Sequence, residues 1–303
     1  MTDILWQGNL RASHGKEQDM VYEKLSGFSD EITSEVIRQF QVLNKLGIAY
    51  FEPRGIDGKN ISELSDEEVQ ELKEKMEQYG IRVSSIGSPI GKVKLEDSFE
   101  EHFALFKRVV EIAGKLEAEY IRIFSFYHEG GEDWTKEERA EVLKRLGRMI
   151  EYAAQHNVIL LHENEKDIYG DTVDRCADLM RELSGSHFKA VFDPANFVQC
   201  GQDTKYAYEQ LKDYIIYVHI KDAKFADGSV TPAGRGDGNV EYVLRQLFAG
   251  GYRGYLSLEP HLGSFDGLGQ LELSDEMLKL PKGGEGTFTL AYLALKELLE
   301  KIL

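Results

Sequence analysis

Eight short apolar runs alternate with segments of helical period along this chain, and no other feature constrains its fold as strongly. Runs of strand length that alternate with helices indicate βα units and a parallel sheet. Eight such units predict a single closed (β/α)₈ barrel of the TIM type. The predicted strands lie at residues 25–31, 48–52, 81–87, 120–125, 158–164, 189–193, 215–221 and 255–260.

The helices between these runs are predicted from capping residues as well as from the helical spacing of apolar residues. Ser65 precedes the segment DEEVQELKEKMEQY as an N-cap, Glu68 takes the capping-box position, and Gly80 ends the helix. An open, doubly wound sheet is the competing architecture, but the turn FSDEITSE after the first strand has no GxGxxG. The other predicted helices cover residues 34–46, 99–116, 136–156, 171–183, 204–214, 240–248 and 287–302.

Length and charge narrow the class of protein further. A chain of 303 residues fits one barrel domain, which we expect over residues 20–303 after an accessory N-terminal arm, residues 1–19. The net charge of −17 argues against a nucleic-acid partner, because phosphate backbones are bound mainly by Lys and Arg. With two cysteines, no signal peptide and no apolar run of about twenty residues, we expect a cytoplasmic protein without a membrane partner. The base rate for soluble enzymes favours a homodimer.

Side chains that bind metals stand at the ends of four consecutive predicted strands. These ends read HENE, FDPAN, VHIKD and LEPH. In a TIM barrel the active site lies at the carboxyl ends of the strands, so Glu163, Asp193, His219 and Glu259 should face one point. Three carboxylates and one imidazole suit a single Mn²⁺, Mg²⁺, Co²⁺ or Zn²⁺ ion. Glu165 has the same strand parity as Glu163 and is the alternate ligand.

Several segments resemble a known family. LLHENEKDIYGDT, VFDPANFVQCG, YVHIKDA with PAGRGDG, and LSLEPHLG resemble the sugar phosphate isomerase/epimerase family of xylose isomerase-like TIM barrels, over about residues 24–303. The resemblance implies one divalent cation bound by Glu163, Asp193, His219 and Glu259. It also implies a small-molecule sugar or sugar phosphate as substrate. Two positions depart from the family pattern: Asn196 stands where such epimerases often have His, and Arg235 where many relatives have Glu.

The predicted chemistry follows from such a site. A metal that chelates a hydroxy-ketone stabilises the enediolate left by proton loss. Glu163 and Glu259 are the expected bases. Lys221 lies two residues beyond His219, so it shares the inward parity of His219 and could neutralise the enediolate. One alternative is a dehydratase of the inosose or dehydroshikimate type, in which the enediolate expels a hydroxyl group. The other is a non-catalytic sugar-binding barrel.

Five further residues are predicted to contact the substrate. Glu52 ends the second strand, and His261 follows Glu259 by two positions. His128 lies in a long loop after the fourth strand and could stack on a sugar face. Asn196 and Arg235 complete this set, and the sequence leaves open whether the substrate is phosphorylated.

Overall fold

The computed structural model describes residues 21–130, 133–262 and 283–303. The predicted accessory arm, residues 1–19, lies outside these ranges. Within them, no helix is long and apolar enough to cross a membrane.

A curled parallel sheet forms the centre of the molecule. The strands of the described residues are β1 (Leu25–Gly27), β2 (Tyr50–Phe51), β3 (Gly55–Ile56), β4 (Lys59–Asn60), β5 (Arg82–Val83), β6 (Ile86–Gly87), β7 (Tyr120–Ile123), β8 (Ile159–Glu163), β9 (Phe188–Phe192), β10 (Ile215–Ile220), β11 (Asp222–Ala223), β12 (Val230–Thr231) and β13 (Tyr255–Leu258). Seven of them form the sheet in the order β1, β13, β10, β9, β8, β7, β6, and neighbouring strands run parallel.

The remaining gap between β1 and β6 is closed by the parallel pair β2 and β5. The Glu52 N–H donates to the Gly27 carbonyl (2.9 Å), and the Gly87 N–H donates to the Pro53 carbonyl (2.9 Å). The predicted third strand is therefore present as two short pieces, β5 and β6, on either side of Ser84 and Ser85. With that difference, the predicted eight-stranded TIM barrel is confirmed.

Helices surround this barrel in alternation with the strands. The capping box predicted at Ser65 and Glu68 is present, and Gly80 ends that helix in the left-handed conformation (φ +66°). The helices are α1 (Val36–Leu46), α2 (Asp66–Tyr79), α3 (Phe99–Lys115), α4 (Lys136–Gln155), α5 (Val173–Leu183), α6 (Pro194–Gln199), α7 (Thr204–Leu211), α8 (Val240–Ala249) and α9 (Gly284–Ile302).

The short helix α6 was not predicted. It begins directly after β9, where Pro194 occupies its first turn and the Asp193 carboxylate accepts a hydrogen bond from the Asn196 N–H (2.9 Å). Asp193 thus ends a strand and caps a helix, which fixes one of its two oxygens. The hairpin pairs β3/β4 and β11/β12 lie in the βα loops after the second and seventh barrel strands.

The main hydrophobic core lies between the strands and the surrounding helices. Phe40, Phe106, Leu146 and Phe188 are among its fully buried members. Burial on both sides fixes the direction and the register of the strands. The carboxyl ends of β8, β9, β10 and β13 consequently meet at one rim.

Candidate metal centre

The four predicted ligands meet at this rim. Glu163 is the last residue of β8, Asp193 follows β9, His219 is the fifth residue of β10, and Glu259 follows β13. Their ligand atoms all lie within 4.8 Å of one another, and each residue is at most 3% exposed. This buried cluster is able to hold a metal ion.

The imidazole of His219 lies at the centre of the cluster. Its Nδ1 is 2.8 Å from Glu163 Oε1, 3.5 Å from Glu259 Oε2 and 3.9 Å from Asp193 Oδ2. Burial alone would lower the pKa of His219, but the carboxylates of Glu163 and Glu52 raise it well above its usual range. Nδ1 therefore faces the carboxylates, and Nε2 faces away from the rim.

Lys221 is the second cation of the cluster. Its Nζ is 2.9 Å from both Asp193 Oδ2 and Glu259 Oε2, and the residue is only 4% exposed. Burial opposes its charge, but these two carboxylates raise the pKa of Lys221 well above its usual range. Burial likewise opposes the charge of Glu259, whose pKa Lys221 and His219 lower well below the usual range. For Asp193, burial outweighs its partners and raises the pKa to about 7.

Arg122 and Asn196 hold Glu163 in place. Arg122 extends inward from β7, and its guanidinium donates to Glu163 Oε2 (2.7 Å). The Asn196 amide donates to the other oxygen, Oε1 (3.3 Å), and to the Asn164 carbonyl (2.9 Å). Both oxygens of Glu163 are thereby occupied.

Asn164 holds the backbone of Asp193 on both sides. Its side-chain oxygen accepts from the Asp193 N–H (3.0 Å), and its amide donates to the Asp193 carbonyl (2.9 Å). The ends of β8 and β9 are therefore locked together. The two carboxylates at these ends keep a fixed spacing.

One buried oxygen shows that the donor set suits a cation. Asp193 Oδ2 accepts no hydrogen bond within the described residues, although Lys221 Nζ lies 2.9 Å away at an unfavourable angle. A buried carboxylate oxygen without a hydrogen bond is costly unless a cation lies beside it, and here the ammonium group of Lys221 is that cation. Together with the neighbouring oxygens and the Nδ1 atom, Asp193 Oδ2 forms a mixed O/N set of the kind that divalent ions prefer.

The outer edge of the cluster is formed by Arg54, Glu31 and His261. Arg54 lies 2.9 Å from Asp30, 3.4 Å from Glu31 and 3.4 Å from Glu259 Oε1. His261 Nε2 lies 3.5 Å from the same Glu259 oxygen, and this side chain is 43% exposed. Glu31, Glu259 and His261 also come close enough to hold a metal, and this second group shares Glu259 with the first.

The other predicted site residues lie in different places. Glu165, the alternate ligand, forms an ion pair with Lys92 (3.0 Å) and is absent from the cluster. His128 stacks on Trp134, with ring centroids 3.8 Å apart, and its Nδ1 lies 3.0 Å from Glu138. These contacts pack the loop after β7 onto the barrel rather than present His128 to a substrate.

Arg235 and Glu52 also lie apart from the open rim. Arg235 is exposed and contacts Glu297 of α9 (3.4 Å). Glu52 is fully buried behind His219, where Tyr217 and Ser257 donate to its Oε2. Asn196 is buried against Glu163, so among the five predicted substrate contacts only His261 lies at the exposed rim.

The turn PAGRGDG is organised by a residue that the sequence analysis did not single out. The Asp222 carboxylate accepts hydrogen bonds from the N–H groups of Gly234 (3.0 Å), Gly236 (3.0 Å) and Gly238 (2.8 Å). A Cβ atom at Gly236 would lie 2.4 Å from Asp222 Oδ1, so only glycine fits there. The sequence feature that could have identified this role is the position of Asp222 directly after the predicted strand that ends in HIK.

Arg122 was likewise not predicted to bind Glu163. It lies within the apolar run YIRIF and is 5% exposed. An arginine is almost never fully buried without a partner. Its position within a predicted buried strand therefore indicated that an acidic side chain lies next to it. Finding the partner required the pairing of β7 with β8, in which Ile123 lies opposite His162.

The fold and the cluster agree with comparisons to known proteins. The model of the xylose isomerase-like TIM barrel family matches residues 40–279, which is more than half of the chain. The chain therefore belongs to the xylose isomerase-like TIM barrel family.

Three similar proteins illustrate the range of this fold. A 3-dehydroshikimate dehydratase from Bacillus anthracis is 25% identical over 165 residues, which are 54% of this chain and 57% of that protein's length. A crystal structure of an IOLI protein with a zinc atom has a TM-score of 0.73 at 18% identity, covering 92% of this chain and 99% of the other. A D-tagatose 3-epimerase-like protein has a TM-score of 0.69 at 17% identity, covering 92% and 100%. At these identities the two solved structures show a shared fold.

Proposed function

We propose that this chain is a divalent-metal-dependent isomerase or epimerase of a sugar or sugar phosphate, acting through an enediolate. The observation that carries the proposal is the convergence of four buried ligand atoms within 4.8 Å at the rim where TIM-barrel active sites lie. Membership of the xylose isomerase-like family supports it.

Glu163, Asp193, His219 and Glu259 would hold the metal, with Mn²⁺, Mg²⁺, Co²⁺ or Zn²⁺ as candidates. A bound ion supplies Lewis acidity that polarises the carbonyl of a hydroxy-ketone or hydroxy-aldehyde. The zinc atom reported for the structurally similar IOLI protein supports a divalent ion in such a barrel.

Glu259 is the better placed of the two proposed bases. Both oxygens of Glu163 are held inside the cluster by Arg122, His219 and Asn196. Glu259 Oε1 lies at the rim, where Arg54 donates to it at 3.4 Å and the exposed His261 lies 3.5 Å away. Glu259 takes the proton from the carbon beside the carbonyl. The C–H electron pair becomes the C=C bond, and the carbonyl pair moves to oxygen. Lys221 stabilises the negative charge that results.

The return of the proton determines the product. Delivery to the opposite face of the same carbon inverts that centre, and Glu163, on the other side of the cluster, is the group proposed to deliver it. Glu163 would first take up a proton from water, and Glu259 would release the proton that it removed to water. Delivery to the neighbouring carbon converts a ketose to an aldose. Both outcomes remove one proton from carbon and return one, and exchange with water restores the protonation of the two glutamates.

A dehydratase is the second candidate, favoured by the likeness to the 3-dehydroshikimate dehydratase. The first step is the same, but the enediolate then expels a hydroxyl group from the next carbon. That group needs a proton to leave as water, and Lys221 and His261 are the acids at the rim. His128 packs against Trp134 and Glu138 and is not placed to act as this acid.

Proton exchange in D₂O tests the proposal. The protein loaded with Mn²⁺ is incubated with ketoses, ketose phosphates and cyclic hydroxy-ketones, and NMR follows deuterium at the carbon beside the carbonyl. We expect exchange with formation of an epimer or an aldose, reduced at least 100-fold in Glu259→Gln. The matched control is Glu165→Gln, which neutralises a nearby carboxylate outside the cluster and should leave exchange unchanged.

Each remaining outcome separates the alternatives. Exchange that ends in an unsaturated product, seen by ultraviolet absorbance, identifies the dehydratase. Binding without exchange by any compound of the panel identifies a non-catalytic sugar-binding barrel and refutes the proposed function. Equal exchange in the wild type and in Glu259→Gln and Glu163→Gln shows that neither glutamate is the base.

A further inference from the structure

A layer of buried polar side chains lies inside the barrel directly beneath the metal cluster. Inward positions of TIM-barrel strands usually carry Val, Ile or Leu, but this layer consists of one glutamate, one tyrosine and several serines. All are fully buried. Its members are Ser26, Glu52, Ser84, Tyr217 and Ser257.

Glu52 is the acceptor at the centre of this layer. The hydroxyl groups of Tyr217 and Ser257 both donate to its Oε2, each at 2.8 Å. Ser84 Oγ lies 2.8 Å from the Tyr217 hydroxyl and 2.6 Å from Ser26 Oγ. These contacts come from four other strand positions of the barrel, so the carboxylate of Glu52 cannot turn without breaking several hydrogen bonds.

The imidazole of His219 forms the one ion pair of this carboxylate within the described residues, and Arg122 acts on it from farther away. Among the described residues no lysine or arginine forms an ion pair with Glu52, and His219 Nε2 lies 3.3 Å from Glu52 Oε2. Neither His219 Nε2 nor Glu52 Oε1 has a hydrogen-bond partner within the described ranges. A buried carboxylate without a compensating cation is very costly, as is a buried N–H without an acceptor.

His219 Nε2 and the carboxylate of Glu52 are therefore placed to compensate each other. A distance of 3.3 Å is just beyond the usual range of about 2.7 to 3.2 Å for an N–H···O bond, so a small rotation of the ring closes it. The opposite nitrogen, Nδ1, faces Glu163, Asp193 and Glu259. Without a metal ion, Nδ1 donates a proton to Glu163 Oε1 (2.8 Å). A metal ion that displaced this proton would bind the lone pair of Nδ1 while Nε2 kept its own proton.

We propose that Glu52 is a positioning residue for the metal centre: it holds His219 in the tautomer that carries a proton on Nε2 and offers Nδ1 to the metal. The inference rests on the proposed function because it assumes that the cluster binds a divalent ion. Carboxylates that accept the second N–H of a metal-bound histidine orient the ring and raise its basicity. Removing such a partner weakens metal binding by about 10- to 100-fold.

Glu52→Gln is the variant that tests this role. Glutamine keeps the shape, and its carbonyl oxygen can still accept from Tyr217 and Ser257, but it carries no charge. The control is Ser26→Ala, which removes a hydrogen bond of the same layer without touching Glu52 or His219. Circular dichroism of the metal-free proteins confirms that both variants fold.

Metal binding is measured with Co²⁺ alone, by titration of the metal-free proteins and by the visible spectrum of the ion. We expect Co²⁺ affinity to fall about 10- to 100-fold in Glu52→Gln and by less than about twofold in Ser26→Ala. In the Co²⁺-loaded wild type, proton NMR in H₂O should show one strongly shifted imidazole N–H that exchanges slowly, because Nε2 is buried. This signal should move or be lost in Glu52→Gln.

The outcomes separate this inference from the proposed function. If the wild type binds no Co²⁺, the proposed function fails, and the inference fails with it. If the wild type binds Co²⁺ and Glu52→Gln binds it equally well with an unchanged N–H signal, only the inference fails. Should Glu52→Gln not fold, ¹⁵N NMR of the Zn²⁺-loaded wild type decides: a proton on Nδ1 of His219 with Nε2 as ligand would overturn the proposed tautomer.

Discussion

Replacing Lys221 by methionine should destabilise the metal-free protein and strengthen its affinity for a divalent metal. The ammonium lies 2.9 Å from Asp193 and 2.9 Å from Glu259, in a position that is only 4% exposed. Methionine fills a similar volume without a charge. The two carboxylates then lose the cation between them, which favours their binding to a metal ion instead.

The size of both effects follows from this geometry. Removing one partner of a buried ion pair costs about 3 to 5 kcal/mol, because the other charge stays buried without compensation. The ammonium and a metal ion would repel each other: two unit charges about 4 Å apart interact by about 4 kcal/mol at an effective dielectric constant of about 20. Since about 1.4 kcal/mol corresponds to a factor of ten, we expect metal affinity to rise at least about tenfold.

Urea unfolding of the metal-free proteins measures the first effect, and Mn²⁺ titration followed by electron paramagnetic resonance measures the second. Lys92→Met is the matched control, because Lys92 forms a partly exposed pair with Glu165 and should change stability by less than about 1 kcal/mol. An unchanged free energy of unfolding in Lys221→Met, or a weaker affinity for Mn²⁺, would refute the electrostatic argument.

Three further variants give independent tests. His219→Ala should lose metal affinity and regain part of its activity in excess Mn²⁺, whereas Glu259→Gln should regain none; equal rescue of both would contradict the roles assigned to them. Burial lowers the pKa of His102 from 6.5 to about 4, so the unfolded chain binds a proton at this residue before the folded protein does as the pH falls. Between pH 8 and pH 5 the wild type should therefore lose about 2 kcal/mol more free energy of unfolding than His102→Gln, as measured by urea unfolding. An equal loss in the two proteins would contradict this prediction. Arg235→Ala should change KM by less than about twofold, and a tenfold rise would place Arg235 at the substrate.

The sequence was sufficient to predict the barrel and the four residues of the cluster. Each of the eight strands was a short apolar run, and the last residues of four of them were metal-binding types. Because parallel strands end at one rim, strand position alone predicted that Glu163 and Glu259 would come close together, although 96 residues separate them in the chain.

The contacts around the cluster could not be predicted in this way, because they depend on side-chain direction and register. Glu52 was predicted to reach the substrate from its position at a strand end, but the structure turns it inward beneath His219. Glu163 and Glu165 have the same strand parity, and the structure distinguishes them because the strand ends at Glu163. Helix α6 was missed because six residues are too few for a helical period to show.

The central claim is that one divalent ion binds where β8, β9, β10 and β13 end. A crystal of the protein soaked in Mn²⁺ and measured at an energy where manganese scatters anomalously tests it directly. We predict one strong anomalous peak about 2.0 to 2.6 Å from atoms of Glu163, Asp193, His219 and Glu259, with Nδ1 as the histidine ligand. No peak at this cluster, or a single peak between Glu31 and His261, would contradict the account.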